Sequence, residues 1–219
     1  VFLLFITFLL GNVQGWGQVT ILSNWTNQYH NTATTQQTIS YTVPAGSGTN
    51  RVLAVAIASS QTAVGARTVT VTYGGQTLIL AAGDMATATT RQHTAIYYLK
   101  ESGLDAATNT NLVFTVSGGT TRVTDVWTAA FDYVDQTNSI TNSQNYNSIV
   151  STTSTLSFGT ALTINSGDRV ALVASSLRSG NTGFRTLTAN GSFTSINEQT
   201  YGTGDGVRNA IYNITAVPT

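Results

Sequence analysis

Residues 51–59 read RVLAVAIAS, and this stretch decides the fold class. Leu53, Val55 and Ile57 fall on one face of an extended strand, while small alanines fill the other face. Successive side chains of a strand point to opposite faces of its sheet, so a strand that is apolar on both faces is covered on both faces. We therefore expect residues 51–59 to form a central strand of a buried sheet.

A hairpin is predicted further along the chain. Residues 68–73 read TVTVTY, which indicates a strand with valines inward and threonines outward. The glycine pair at residues 74–75 then provides a two-residue turn of the kind that joins antiparallel strands. We expect residues 76–80 to return as the second strand, with Leu78 and Leu80 inward.

The same alternation recurs through the rest of the chain. It predicts further strands at residues 38–43, 94–99, 112–117, 123–133, 155–162, 169–176, 192–199 and 208–215. Tyr73, Trp127 and Phe131 have inward spacing and are expected in the core, and the Asn-Gly pair at residues 190–191 is expected to form another hairpin turn. Roughly ten to twelve short strands separated by regular turn signals are typical of a two-sheet sandwich.

The predicted fold class is therefore all-β, a two-sheet antiparallel β-sandwich of jelly-roll-like form with almost no helix. The best helical candidate is a short turn at residues 101–107. A length of 219 residues is ordinary for one large β-sandwich. We expect residues 18–219 to form a single domain.

Charged residues are scarce, and this limits the classes of function. Asp, Glu, Lys and Arg make up 8% of the chain and the formal net charge is zero, whereas an average soluble protein has about 25% charged residues. Nothing in this balance would attract nucleic acid or an anionic membrane. The chain has no cysteine, so disulfides, thiolate zinc sites and cysteine nucleophiles are excluded. We expect no cofactor.

The first residues are strongly apolar. Residues 1–10 read VFLLFITFLL, which is too short for a membrane-spanning helix and fits the apolar region of a secretory signal peptide. The small residues that follow predict cleavage after Gly17, with cleavage after Gly15 as the alternative. In the other interpretation, residues 1–10 are a buried strand of the mature protein. The location is predicted as secreted, at the cell surface.

Four strand sequences together are similar to a known module. They are residues 50–55 (NRVLAV), 71–78 (VTYGGQTL), 95–99 (AIYYL) and 131–137 (FDYVDQT). In this order they resemble a β-sandwich module that recurs in large secreted or surface proteins of bacteria, often of the Bacteroidota. That module typically has an F-x-G-V-D-Q-T turn, and Tyr133 stands here in place of its glycine. The resemblance covers about residues 37–212 and implies an exported, adhesion-like or scaffold setting without a catalytic residue.

Catalytic and metal sites have weak support in the sequence. His30 and His93 are the only histidines, and no G-x-S-x-G nucleophile motif accompanies them. Asp132 and Asp135 are the closest informative carboxylate pair and are a weak candidate for a Ca²⁺ site. We favour the interpretation in which they cap backbone N–H groups of a turn. The chain is therefore predicted not to be an enzyme.

Four aromatic residues are candidates for stacking on sugar rings. Trp25, Tyr29, Tyr146 and Tyr201 lie in polar, Asn- or Gly-rich stretches, where a core position is less expected. Simple packing is nevertheless the more common role for aromatic residues in such stretches.

Two functions remain. The first is an exported cell-surface structural protein, a subunit or module of a filament or adhesin, with self-association or other surface proteins as partners. Its assembly could use N-terminal strand exchange, in which residues 1–10 or residues 19–22 complete the open sheet of a neighbour. The alternative is a non-catalytic carbohydrate-binding module with a polysaccharide as its partner.

Overall fold

The computed structural model describes residues 19–31, 35–47, 50–86, 88, 91–140, 155–156, 169, 171–177, 188–189, 193–201 and 207–214. Their elements in chain order are β1 (Thr20–Asn31), β2 (Gln36–Ser40), β3 (Val52–Gln61), β4 (Thr68–Tyr73), β5 (Gln76–Thr77), β6 (Ile79–Gly83), β7 (Gln92–Lys100), α1 (Glu101–Asp105), β8 (Asn111–Ser117), β9 (Thr121–Asp132), β10 (Thr155–Leu156), β11 (Ala171–Leu177), β12 (Thr188–Ala189), β13 (Phe193–Tyr201) and β14 (Val207–Ile214). The predicted all-β class is confirmed, and the short helix falls within the predicted turn at residues 101–107.

Strand β3 is the centre of the largest sheet. This sheet has the order β1-β9-β3-β7-β6, and its neighbouring strands are antiparallel. All ten residues of β3 are buried. The expectation of a central strand covered on both faces is therefore confirmed.

The first face of this sheet packs against a second antiparallel sheet with the order β2-β8-β4-β5. Leu53, Val55 and Ile57 of β3 contribute to the core between the two sheets. The second sheet supplies alternate residues of β4 and β8, such as Val71 and Phe114, to the same core. The two sheets form the predicted antiparallel sandwich.

The second face of the large sheet has a different composition. The short side chains of Ala54, Ala56 and Ala58 leave space for the Trp127 ring, which comes from the adjacent strand β9 and is fully buried. Val173 of β11 and Ile211 of β14 complete this second core. These two residues belong to a third antiparallel sheet with the order β11-β14-β13, so the large sheet is covered on both faces. Strands β10 and β12 form a separate short parallel pair.

The predicted glycine turn is confirmed, but the strand after it differs from the prediction. Gly74 and Gly75 have φ values of +54° and +85°, in the left-handed region that such a turn requires. Leu78 is buried as expected, whereas Leu80 is 52% exposed. The inward placement of Leu80 is wrong because the chain changes sheets here: β5 pairs with β4, while β6 lies at the edge of the large sheet in the described residues.

Other predictions have mixed outcomes. Tyr73 and Trp127 are buried in the two cores as expected, and Phe131 is half-buried against the second core. The predicted signal or donor segment at residues 1–10 and the predicted turn at residues 190–191 lie outside the described residues. In the described part of the chain, no helix has the length and apolar character needed to cross a membrane.

The two leucines Leu53 and Leu80 provide a direct test of this architecture. Leu53→Ala should lower the free energy of unfolding by about 2–5 kcal/mol, since it opens a cavity between the two sheets. Leu80→Ala should change it by less than about 0.5 kcal/mol, because the side chain is half in solvent. Urea unfolding of both variants measures the difference. Equal losses of unfolding free energy in the two variants would contradict the passage of the chain from one sheet to the other between β5 and β6.

Candidate functional site

The aromatic candidate Trp25 lies in the core. Its side chain is 4% exposed and packs edge-to-face on Phe131, with ring centroids 6.4 Å apart. The pairing of β1 with β9 shifts register between Ser23 and Thr26, and Trp25 reaches the second core at this irregularity. The expectation that Trp25 lies outside the core is therefore wrong. Its ring presents no open face on which a sugar could stack.

The other three aromatic candidates do not form a common platform in the described residues. Tyr29 is half-buried, and its ring packs edge-to-face on Phe114 of the second sheet with centroids 5.2 Å apart. Its hydroxyl group is buried without a hydrogen-bond partner in the described residues. Tyr146 lies outside the described residues, and for Tyr201 only the backbone pairing with Val207 is described.

The carboxylates of Asp132 and Asp135 bind backbone amides. Asp132 is fully buried and accepts hydrogen bonds from the N–H groups of Ser47, at 2.8 Å, and Tyr133, at 2.9 Å. Asp135 accepts one from the N–H group of Thr137 at 2.7 Å. Within the described ranges no three His, Cys, Asp or Glu side chains cluster as metal ligands would. These contacts are those of the turn interpretation rather than of a Ca²⁺ site.

The turn after β9 uses an unusual backbone conformation. Tyr133 has φ +59°, in the left-handed region that glycine adopts without steric cost. The Asp132 side chain accepts the Tyr133 N–H bond and helps to hold the turn in this conformation.

One group of polar residues, the Arg51 cluster, consists of Arg51, Glu101 and Gln136. The Arg51 guanidinium binds the Glu101 carboxylate through Nε, at 2.9 Å from Oε1, and through a second bond from Nη2. The Glu101 hydrogen bonds raise the pKa of Arg51 against the opposing effect of burial. The Gln136 side chain accepts a bond from the Glu101 N–H group at 3.0 Å and donates to the Val134 carbonyl at 3.0 Å.

The Arg51 cluster joins three segments that are distant in sequence. It connects the start of β3, the junction of β7 with α1, and the turn after β9. The backbone bond from the Val134 N–H group to the Asn50 carbonyl, at 3.0 Å, adds to this connection. Arg51 and Gln136 therefore have a structural role in this chain.

His30 forms a hydrogen-bonded pair with Asp125 at the edge of the large sheet. Its Nδ1 lies 2.5 Å from Oδ1 of Asp125, and the two residues are direct partners in the β1–β9 ladder. The Asp125 side chain is 1% exposed, whereas the His30 side chain is 32% exposed. The pair satisfies a buried carboxylate on a sheet face that is otherwise lined by alanine and tryptophan.

A second group of polar residues, the Arg67 relay, lies at the other end of β3. It consists of Arg67, Gln61 and His93, all of which are buried. Arg67 Nε donates to Gln61 Oε1 at 3.3 Å, and its terminal nitrogens donate to Thr121 Oγ1 at 3.0 and 2.9 Å. Gln61 Nε2 lies 3.2 Å from His93 Nε2. Because these acceptors are neutral, burial lowers the pKa of Arg67.

Sequence reasoning did not identify the Arg67 relay. One signal was present: a chain with so few charged residues carries Arg67 directly before a Thr-Val alternating strand. A charged residue at a strand end of such a chain needs internal partners if it is buried. The identity of those partners depends on the antiparallel register of β3 with β7, which places Ser59 opposite His93.

The Arg51–Glu101 pair should contribute measurably to stability. Glu101→Gln removes charge-assisted bonds at a side chain that is 11% exposed, and should lower the free energy of unfolding by about 1–3 kcal/mol. Asp105→Asn is the matched control, because that carboxylate is 70% exposed and 3.9 Å from Arg51. The control should change stability by less than about 1 kcal/mol. Similar effects of the two variants in urea unfolding would contradict the structural role of the cluster.

Asp84 should make stability depend on pH. Burial raises the pKa of its carboxyl group above the usual 3.8, against the bond from the Thr94 N–H group. This contribution to stability is present below pH 3.8 and is lost as the pH rises through the higher pKa of the folded state. Asp84→Asn keeps an acceptor for Thr94 and should be more stable than the wild type at pH 7 but not at pH 3. A difference that is constant between these pH values in urea unfolding would contradict the assignment.

The chain has no match among known proteins that would indicate a function. No family model, no curated protein and no solved structure matches the chain. The likeness of four strand sequences to a bacterial surface module therefore stays a prediction.

Proposed function

We propose that this chain is a module of an exported cell-surface structural protein, of the filament or adhesin type, that holds its shape rather than performing catalysis. The observation that carries the proposal is the Arg51 cluster. Its ionic and amide groups bind each other and the backbone of three distant segments. Groups arranged in this way stabilise the end of the sandwich and are not directed toward a substrate.

The two histidines support the same proposal. In a Ser-His-Asp triad the imidazole would bond to a nucleophile and an orienting carboxylate at once. His30 contacts Asp125, and the described hydrogen bonds of its ring include no hydroxyl group. The His93 ring is fully buried and lies between Gln61 and the Asp84 carbonyl.

The irregular edges of the large sheet limit unspecific edge-to-edge pairing between copies of the module. A chain with zero net charge has little electrostatic repulsion to prevent aggregation. Register irregularities interrupt β1 at three places and β6 at one. Irregular edges are one means by which β-proteins prevent edge-to-edge pairing.

The proposed assembly by strand exchange has two candidate segments, residues 19–22 and the apolar residues 1–10. Thr20 and Ile21 pair with Asp132 and Phe131 of the same chain. Exchange of residues 19–22 would replace this pairing by the same pairing to a neighbouring copy. Export with cleavage after Gly17 would remove residues 1–10 and leave residues 19–22 as the candidate.

Surface exposure on cells of the native source tests the proposal. Proteinase K added to intact cells should degrade the protein, as followed by antibody, while a cytoplasmic marker protein stays intact. If the leader is cleaved, the intact mass of the purified protein should equal that of a chain that begins near Gln18. Protection of the protein until the cells are lysed would overturn the proposal.

A glycan screen distinguishes the structural function from carbohydrate binding. The structural module should bind no polysaccharide at millimolar sugar concentration. Binding that is lost in Tyr201→Ala, with an unchanged unfolding midpoint, would favour the carbohydrate-binding alternative. Tyr29→Ala is a packing control, because its ring packs on Phe114 in the core.

A further inference from the structure

The orientation of the Gln61 side chain is fixed by two partners. Its Nε2 group bonds to the Gly65 carbonyl, and its Oε1 atom accepts from Arg67 Nε at 3.3 Å. Reversing the amide would place an oxygen against the Gly65 carbonyl and an N–H group against the Arg67 donor. Both contacts would become repulsive, so the amide has one allowed orientation.

This orientation determines which nitrogen of His93 carries the proton. Gln61 Nε2 lies 3.2 Å from His93 Nε2, and an amide NH2 group can only donate. His93 Nε2 must therefore be the acceptor. The proton of the neutral ring is on Nδ1, which donates to the Asp84 carbonyl at 3.3 Å.

The Arg67 relay thus has a fixed direction, from Arg67 through Gln61 to His93 and the Asp84 carbonyl. A second proton on His93 would sit on Nε2 and face the Gln61 N–H group. Both groups would then be donors in a site where His93 has no exposed surface. A buried donor without an acceptor is costly, and the Arg67 charge lies one side chain away.

The donor conflict at His93 Nε2 is separate from the charges placed around the ring. The Asp84 carboxylate attracts a charged His93, and burial raises the pKa of this carboxyl group above its usual value. Arg91 precedes β7 and its side chain is exposed. The backbone carbonyl of Arg91 accepts a hydrogen bond from the backbone N–H group of Gln61 at 2.9 Å. Asp84 directly follows β6, Arg91 directly precedes β7 and Arg67 directly precedes β4, so all three lie at this end of the sandwich.

We propose that the Arg67 relay holds the loop at residues 62–66 against the end of the sandwich at neutral pH and releases this loop in acid. The Gln61 side chain binds this loop by donating a hydrogen bond from Nε2 to the Gly65 carbonyl. Backbone bonds from Thr62 to the Thr120 carbonyl, at 3.1 Å, and from Arg67 to the Met85 carbonyl hold its two ends. Protonation of His93 turns the Gln61 amide and releases the loop, whose tip residue Val64 is already 60% exposed.

Amide hydrogen exchange on the whole chain tests the proposal at single residues. Between pH 7.5 and pH 5, the protection factors of the Thr62 and Arg67 amides should fall at least about tenfold after correction for intrinsic exchange. The Val134 amide, bonded to the Asn50 carbonyl at the opposite end, is the internal reference and should keep its protection. An equal fall at both ends would overturn the proposal, because it would indicate global unfolding. No fall at either end would also overturn it.

His93→Gln is the matched variant. Its Oε1 atom can accept from Gln61 Nε2 as the imidazole does, but it does not titrate. The variant should keep the protection of Thr62 and Arg67 at pH 5, and a fall equal to that of the wild type would overturn the proposal. The ¹⁵N shifts of the wild-type His93 ring give a test that needs no variant. At pH 7.5 they should show the proton on Nδ1, and a proton on Nε2 would overturn the proposal.

Discussion

The structure depends on one constraint, the burial of strand β3 on both faces. Leucine, valine and isoleucine on one face require a partner sheet with large side chains, and β4 and β8 supply it. Alanines on the other face require a partner that fills the space above them, and Trp127 with the third sheet supplies it. A single strand of ten residues thereby determines three layers. The difference in side-chain size between its two faces keeps the two cores distinct.

The chain has few charged residues, and two of its arginines, Arg51 and Arg67, each connect segments that are distant from one another. Arg51 and Arg67 lie at opposite ends of β3, which spans about 30 Å at the usual rise per residue. Arg51 has a carboxylate partner and connects three segments, whereas Arg67 has neutral acceptors that connect a loop to a histidine. An ion pair holds the Arg51 cluster, whereas the Arg67 relay depends on which group donates and which accepts in each hydrogen bond. The two ends of the sandwich therefore differ in their response to protons.

Sequence patterns were sufficient where a residue's environment follows from local alternation. This condition holds for β3, for the turn at Gly74 and Gly75, and for the valines of β4. It fails at Leu80, where the chain changes sheets, and at Trp25, where a register shift breaks the alternation. It also fails for the Arg67 relay, because the partners of Gln61 come from β7 and from two loops. The contact of Gln61 with His93 depends on strand order, which a pattern along one chain does not contain.

The edge strands of the large sheet carry irregularities of a kind that opposes edge-to-edge pairing in a chain with little charge. Ile79 and Leu80 are about half exposed on β6, a position where regular strands would invite pairing with another chain. The irregularity between Leu80 and Ala82 interrupts the ladder that such pairing would extend. On β1 the corresponding irregularities coincide with the inward turn of Trp25. The register shift that places Trp25 in the core thus also interrupts the edge strand, so core packing and the irregularity of this edge share one backbone feature.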